Sequence, residues 1–440
     1  MFCGIDFGTT NSSISIAKNG KTPKLILFPN GKNTIPTAVF YPEEKSLTPL
    51  FGDEAVLAYI TGATGRFMRS MKRVLGSTIM LSGTTINGSF VKFNTILGQF
   101  IAYLKNQAEA SCGETLDAVV MGRPVHFCNN NPSGDKNAQK ELENIARFVG
   151  FKDVAFQFEP IAAAYAHEIH LQRECIACVV DIGGGTSDFT IIKIGPNLKN
   201  KTSRTDDILA STGICIGGND FDKDLCLRCF MPTFGLGTLG GGKSKYDKVL
   251  PLATVPYHTL SKWSEVNTMY VQKEKNYIKK MLYESQEPDK VKRLLELVEK
   301  ERGHTLLSAV ETTKIQLSSS DHVGITLKFI SDFPRISVEK GDFECSLKTD
   351  INLISKSLGE CLNQAQIAAE DIQMVILTGG STEIPIIQHT IKNIFPQAEI
   401  SQENKLSSVG LGLAYDSLRC FGSRLYNGGV LNINKNNDGR

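Results

Sequence analysis

Apolar and polar positions alternate with a period of two over residues 2–7 and 13–17, and again over 24–28 after an Asn19-Gly20 turn. That period marks half-buried strands, so the chain is expected to open with two adjacent hairpins. Apolar stripes at helical spacing follow over 94–112, 135–149 and 160–171. Short apolar runs at 116–121 and 154–158 separate them and read as buried strands. The order is βββαβαβα.

The order then starts again. Strands are expected at 175–180, 189–194 and 208–212, then a helix over 351–369, a strand at 374–377, a helix over 384–394, a strand at 398–400 and a helix over 407–419. Each copy opens with a strand that ends in Asp-x-Gly and then Thr, which points to an internal duplication. Two stretches have no counterpart in the other copy, 35–93 and 217–318, and read as subdomains inserted into the two halves. The second is expected to be mostly helical, with amphipathic spacing over 273–284 and 289–317. The expected organisation is a first lobe over 1–173 (core 1–34 and 94–173), a second over 174–421 (core 174–216 and 319–421), and a frayed Asn- and Gly-rich tail over 422–440.

Composition narrows the function classes. The 440 residues include 41% apolar ones, enough for a sizeable core. Lys and Arg number 48 against 46 Asp and Glu. A net charge of +2 gives no global field for nucleic acid or anionic lipid, so any polyanion must be held by local geometry. No apolar run is long enough for a membrane span, and no basic-then-apolar leader opens the sequence, so a cytoplasmic protein is expected. The 11 cysteines are scattered, several inside apolar runs, which suits reduced buried thiols.

The duplicated turns carry the chemistry. Each sets a carboxylate at a strand end beside Thr hydroxyls and a run of backbone N–H groups, a combination suited to hydrated Mg²⁺ and the phosphates of a nucleotide. One such turn occurs by chance; two at matching places in duplicated halves do not.

The sequence Gly4-Ile5-Asp6-Phe7-Gly8-Thr9-Thr10-Asn11-Ser12 is followed in order by Met71-Lys72-Arg73-Val74-Leu75-Gly76, Glu159-Pro160-Ile161-Ala162-Ala163-Ala164 and Asp181-Ile182-Gly183-Gly184-Gly185-Thr186-Ser187-Asp188. Gly217-Gly218-Asn219-Asp220-Phe221-Asp222, Glu311 to Ser318 and Leu377-Thr378-Gly379-Gly380-Ser381 complete the series. Together they resemble the nucleotide-binding domain of the 70-kilodalton heat-shock chaperones over about residues 1–420. Phe156-Gln157-Phe158-Glu159-Pro160, Gly122-Arg123-Pro124 and Phe329-Ile330-Ser331-Asp332 look most like the truncated YegD-like branch.

The resemblance implies an α/β protein with the actin-like ATPase fold, two RNase H-like lobes with an ATP cleft between them. It implies that Asp6 and Asp181 flank Mg²⁺ mainly through water, and that Gly8, Thr9, Thr10, Asn11, Gly183, Gly184, Gly185 and Thr186 hold phosphates. Lys72 would neutralise the γ-phosphoryl group, and Glu159 would orient or deprotonate water with help from Thr186 and Asp188. Taken singly, Lys72 can equally be a solvated helix lysine, and Glu159 can merely open a helix before Pro160. On the adenosine side the resemblance assigns Gly217, Gly218, Glu311, Lys314, Ser318, Gly379, Gly380 and Ser381. Two positions depart from the family pattern. Ile315 and Glu383 stand where the chaperones carry arginines that stack on adenine, which removes cation–π support for the base.

Other patterns carry less. Gly237 to Ser244 fits a phosphate-loop signature but lacks the strand before it and the helix after it, so an ordinary flexible loop is expected. Cys175 and Cys178 lie on a predicted strand, where positions three apart face opposite ways, and Cys226 and Cys229 read as buried thiols on a helix. His167 and His170 read as packing or surface residues. The leading functional expectation is slow Mg²⁺-dependent hydrolysis of ATP to ADP that switches the two lobes, with a protein partner at 217–318 and no peptide-binding domain in cis. A nucleotide-sensing scaffold with little turnover is the alternative, and a small-molecule kinase on the same fold fits less well.

Overall fold

The computed structural model describes residues 1–44, 48–76, 80, 82–127, 132–168, 171–198, 201, 204–242, 248–401 and 408–422. Two mixed sheets dominate it. In the first, strand Phe2–Phe7 pairs antiparallel with Asn11–Ala17 and parallel with Ala118–Arg123, which pairs parallel with Asp153–Phe158. The short strand Lys24–Leu25 adds to the other side of Asn11–Ala17. In the second, Cys175–Ile182 pairs antiparallel with Ser187–Ile194 and parallel with Met374–Thr378, followed by Glu399–Ser401. Ile208–Ile214 closes the far edge.

Read from the matching edge, the two sheets have the same strand order, so the duplication inferred from spacing is a duplication of topology. Parallel neighbours need long crossovers, and helices Phe93–Cys112 and Pro132–Phe148 in the first half and Lys348–Ala365 and Pro385–Ile394 in the second supply them. The first inserted region folds around the three-stranded sheet of Leu50–Phe51, Ala38–Pro42 and Gly65–Arg69 with helix Gly52–Ile60. The second is largely helical, as its spacing predicts. Its 289–317 stretch is two helices, Pro288–Glu299 and Gly303–Leu317, because Glu301 adopts a left-handed φ of 53° between them.

The halves meet through two helices. Glu159–Glu168 and Ser408–Phe421 lie between the sheets, in a shared core that includes Val120, Ala162, Ala163, Val179, Ile376 and Leu413. Small residues set their approach. A Cβ on Gly412 would stand 1.7 Å from the Ala162 carbonyl oxygen, and one on Gly4 would stand 2.6 Å from Leu413 Cβ. Ser15 Oγ donates to the carbonyls of Gly410 (2.6 Å) and Gly4 (3.1 Å), pinning helix Ser408–Phe421 to the first sheet. At the other end of the crossing, buried Arg204 donates to both oxygens of Glu168 (2.9 and 2.7 Å) and to Asp207. The expected packing role of His167 is met: it is buried and its Nδ1 lies 3.2 Å from Ser401 Oγ. His170 lies outside the described residues, as do Lys243, Ser244 and the tail beyond Gly422.

The helix crossing yields two expectations. Gly412→Ala should lower unfolding free energy by about 3 kcal/mol in urea titrations, whereas Gly359→Ala, with open space around its Cβ in helix Lys348–Ala365, should raise it by about 0.5–1 kcal/mol. Arg204→Met leaves buried Glu168 without its cation, while Asp207 keeps Lys201 at 2.8 Å, and should cost about 3–5 kcal/mol in the same titration.

Candidate functional site

Both Asp-x-Gly turns sit at the carboxyl ends of the first strands of their sheets and face one cavity of about 110 Å³. Asp6, Asp181 and Asp188, the turn residues Gly8 to Asn11, and Gly183, Gly184 and Thr186 all line it. The first turn is tight: a Cβ on Gly8 would lie 2.1 Å from the Asn11 carbonyl oxygen. Thr37 anchors it, donating its N–H to Thr10 O (2.8 Å) and its hydroxyl to Gly8 O (2.9 Å). In the second turn Gly183 N–H donates to Thr186 O at 3.0 Å. The two turns nearly touch, since a Cβ on Gly184 would stand 1.6 Å from Thr10 Oγ1. Thr10 Oγ1 itself is buried without a hydrogen-bond partner.

Lys72 reaches the same cavity from the first inserted region. Strand Gly65–Arg69 ends at Ser70, whose left-handed φ of 60° turns the chain into the short 3-10 helix Met71–Val74 that carries it. Its Nζ is 2.7 Å from Glu159 Oε1, and Glu159 is the first residue of the crossing helix Glu159–Glu168. The solvated-lysine reading of Lys72 and the helix-opening reading of Glu159 are therefore incomplete, because both side chains converge on the two turns.

The charge balance is one-sided. Burial, then Glu159, push Asp6 up to about 7, with Lys72 opposing. Burial and Glu159 push Asp181 up to about 6, against a hydrogen bond from Thr378 and the charge of Lys72. Burial and Asp181 push Asp188 up to about 7. Burial pulls Lys72 downward, but Glu159, Asp6 and Asp181 outweigh it and hold it raised. Among the described residues lining the cavity, Lys72 is the one cation beside four acidic side chains, and further positive charge would relieve them. An orphaned hydroxyl, two apposed glycine turns and excess carboxylate together fit a hydrated divalent cation and the phosphates it carries.

The residues assigned to adenosine divide into two groups. Gly217, Gly218, Gly379, Gly380 and Ser381 wrap the second turn. Gly218 N–H and Ser381 Oγ both donate to Gly183 O (2.9 and 3.1 Å), and Gly379 takes a φ of 81° with no room for a Cβ beside Ile182 O. Glu311, Lys314 and Ile315 lie along helix Gly303–Leu317 and Ser318 directly follows it, all outside the lining of that cavity. Both Glu311 oxygens accept from Arg69 (2.9 and 3.1 Å). Lys314 Nζ donates to Gly218 O at 3.0 Å and lies 2.7 Å from buried Asp222. Ser318 Oγ donates back to Lys314 O at 3.4 Å, and the Ile315 and Glu383 side chains are exposed.

Sequence reasoning missed Thr378 and Val409 in the cavity wall, and Arg69, Asp222 and Trp263 near Glu311. Asp222 had a signal, as the last residue of the Gly217 to Asp222 motif; Arg69 and Trp263 had none. No cluster of His, Cys, Asp and Glu with metal-ligand geometry occurs among the described residues. Cys178 and Cys226 are buried, with burial pushing both thiols up. Gly237 to Gly242 begin a small hairpin built on Leu239–Gly240 and Leu250–Pro251, without strand–loop–helix context.

Comparison with known proteins agrees with this geometry. The family model described as Hsp70 protein matches residues 2–235 and 281–417. Among curated relatives, Chaperone protein DnaK of Mycoplasmopsis synoviae (strain 53) is 26% identical over 423 residues, covering 93% of this chain and 57% of the relative. Heat shock 70 kDa protein, mitochondrial, of Pisum sativum is 24% identical over 438 residues, covering 93% and 54% respectively. The chain thus spans little more than half the length of the relatives it matches. With the family model covering most of its residues, the chain belongs to the Hsp70 family, and its paired sheets are that family's actin-like ATPase fold.

Proposed function

We propose that this chain binds ATP with Mg²⁺ in the cavity between its two Asp-x-Gly turns, hydrolyses it slowly, and uses the bound nucleotide to set the separation of two lobes. The lobes are 1–173 and 174–421, with 35–93 and 217–318 inserted. The observation that carries this reading is the convergence of Asp6, Asp181, Lys72, Glu159 and both glycine turns on one small cavity. The reading is of a YegD-like, cytoplasmic member of the family. Among the described residues no helix is long and apolar enough to cross a membrane.

The chain's own groups divide the work. Backbone N–H groups and hydroxyls of Gly8 to Asn11 and Gly183 to Thr186 orient the phosphates, and both turns must grip together because they belong to opposite halves. Asp6 and Asp181 would hold magnesium mainly through water, and the ion would supply positive charge against the phosphates. Lys72 stabilises charge on the γ-phosphoryl oxygens. Glu159, released from Lys72, accepts a hydrogen bond from the attacking water, with Thr186 positioning it and Asp188 taking part in proton transfer. Phosphoryl transfer needs chiefly positioning and electrostatic stabilisation, and these residues supply both. The scaffold reading has one observation in its favour. The Lys72–Glu159 ion pair at 2.7 Å ties up the base and the cation together, which suits binding without turnover.

Single-turnover hydrolysis of ATP separates the two. Glu159→Gln should slow it by about 10²-fold or more while ATP affinity, read by calorimetry, stays within about threefold. An unchanged rate contradicts the mechanism, and no hydrolysis by the wild type favours the scaffold. Gly184→Ala, whose methyl would collide with Thr10, should weaken Mg·ATP binding at least tenfold by calorimetry without altering the circular dichroism spectrum.

A further inference from the structure

The mechanism above asks Glu159 to part from Lys72 and still point into the cleft, so other groups have to hold it there. Strand Ala118–Arg123 lies directly beside it. Arg123 pairs in register with Phe158, the residue before Glu159, and Gly122 pairs with Gln157. The Glu159 side chain rests on Gly122. A Cβ at that position would stand 3.3 Å from Glu159 Cγ and 3.1 Å from Leu413 Cδ1, both short of the roughly 3.5–4.0 Å at which carbons pack. Arg123 occupies the same corner. Its Nε donates to Pro124 O and its Nη2 to Val125 O, both at 3.1 Å, and its Nη1 donates to Gln139 Oε1 on helix Pro132–Phe148. The guanidinium carbon lies 5.1 Å from the Phe158 ring centroid and 5.3 Å from that of Phe127. Burial draws Arg123 down from the ordinary guanidinium value, and the charges of Asp135 and then Glu159 oppose it. The side chain does not line the cavity, so it works from behind the cleft wall.

We propose that Arg123 is a positioning residue for Glu159: its guanidinium clamps the Phe158 ring to the backbone of Pro124 and Val125, so that the carboxylate keeps its aim once Lys72 has turned to the γ-phosphoryl group. The proposal rests on the hydrolytic reading above and adds one residue to it. The clamp needs a planar group. A guanidinium stacks on an aromatic face while donating in several fixed directions, whereas a lysine ammonium is a point charge on a flexible stem. Gly122 sets how deep the acid sits, and Arg123 keeps the neighbouring strand end from shifting beneath it. Such a role carries weight in catalysis, because misplacing a reacting group by about 1 Å can cost on the order of 10²-fold in rate.

Single-turnover hydrolysis of Mg·ATP by the full chain, with affinity read by calorimetry, tests the assignment. Arg123→Gln should slow hydrolysis about tenfold or more and leave the dissociation constant within about threefold of wild type, because the residue stands outside the cavity. In a Glu159→Gln background the same change should alter the residual rate by less than about threefold, since a residue acting through Glu159 has nothing left to position. A larger loss in that background marks a general structural role and overturns the proposal. A wild-type rate in Arg123→Gln overturns it too, as does a fall in affinity that matches the fall in rate. Should Arg123→Gln fail to fold, as judged by circular dichroism, Arg123→Lys decides alone: hydrolysis slowed at least about threefold at unchanged affinity supports the clamp, and a wild-type rate overturns it. Failure of the hydrolytic reading looks different, because then the wild type itself turns nothing over.

Discussion

The architecture depends on how closely two helices approach at its centre. Helices Glu159–Glu168 and Ser408–Phe421 come together where Gly412 leaves room for the Ala162 carbonyl, and Gly4 leaves room for Leu413. Larger residues at these points would force the sheets apart, since a packed interior cannot absorb even a single methyl without displacement. Because Glu159 heads the first of these helices, the same contact fixes the depth of the acid in the cleft. It also fixes the distance between the two turns, which face each other from opposite sheets.

Electrostatics gives the cleft its character. Asp6, Asp181, Asp188 and Glu159 are gathered around Lys72 in one small cavity, and burial raises the first three well above the ordinary carboxylate range. Such an arrangement is unfavourable for the empty fold, because desolvated like charges repel and one ammonium cannot neutralise four acids. An added positive charge would relieve it. The two glycine turns add an unmet donor: Gly184 leaves no room for a Cβ beside Thr10, whose buried hydroxyl has no hydrogen-bond partner.

Much of the fold was legible because it repeats. Alternation in 2–7 and 13–17 and its return after 175 marked matching strands, and Asp-x-Gly at each strand end marked the site. What stayed hidden was set by contacts remote in sequence or by local backbone geometry. The break in 289–317 is a single left-handed residue, Glu301, inside otherwise helical spacing. Lys72 and Glu159 each had an ordinary reading until the fold placed them 2.7 Å apart. The pairing of Arg69 with Glu311 was the least legible, since the two are separated by 242 positions and nothing in either neighbourhood announces the other.

The chain's one tryptophan, Trp263, rests against Arg69 just where the two inserted regions meet. An indole stacked on a guanidinium loses that neighbour as soon as the regions part. The molecule thus carries a native fluorophore at this contact, so that any parting of Arg69 from the indole would be read by intrinsic emission without attaching a dye.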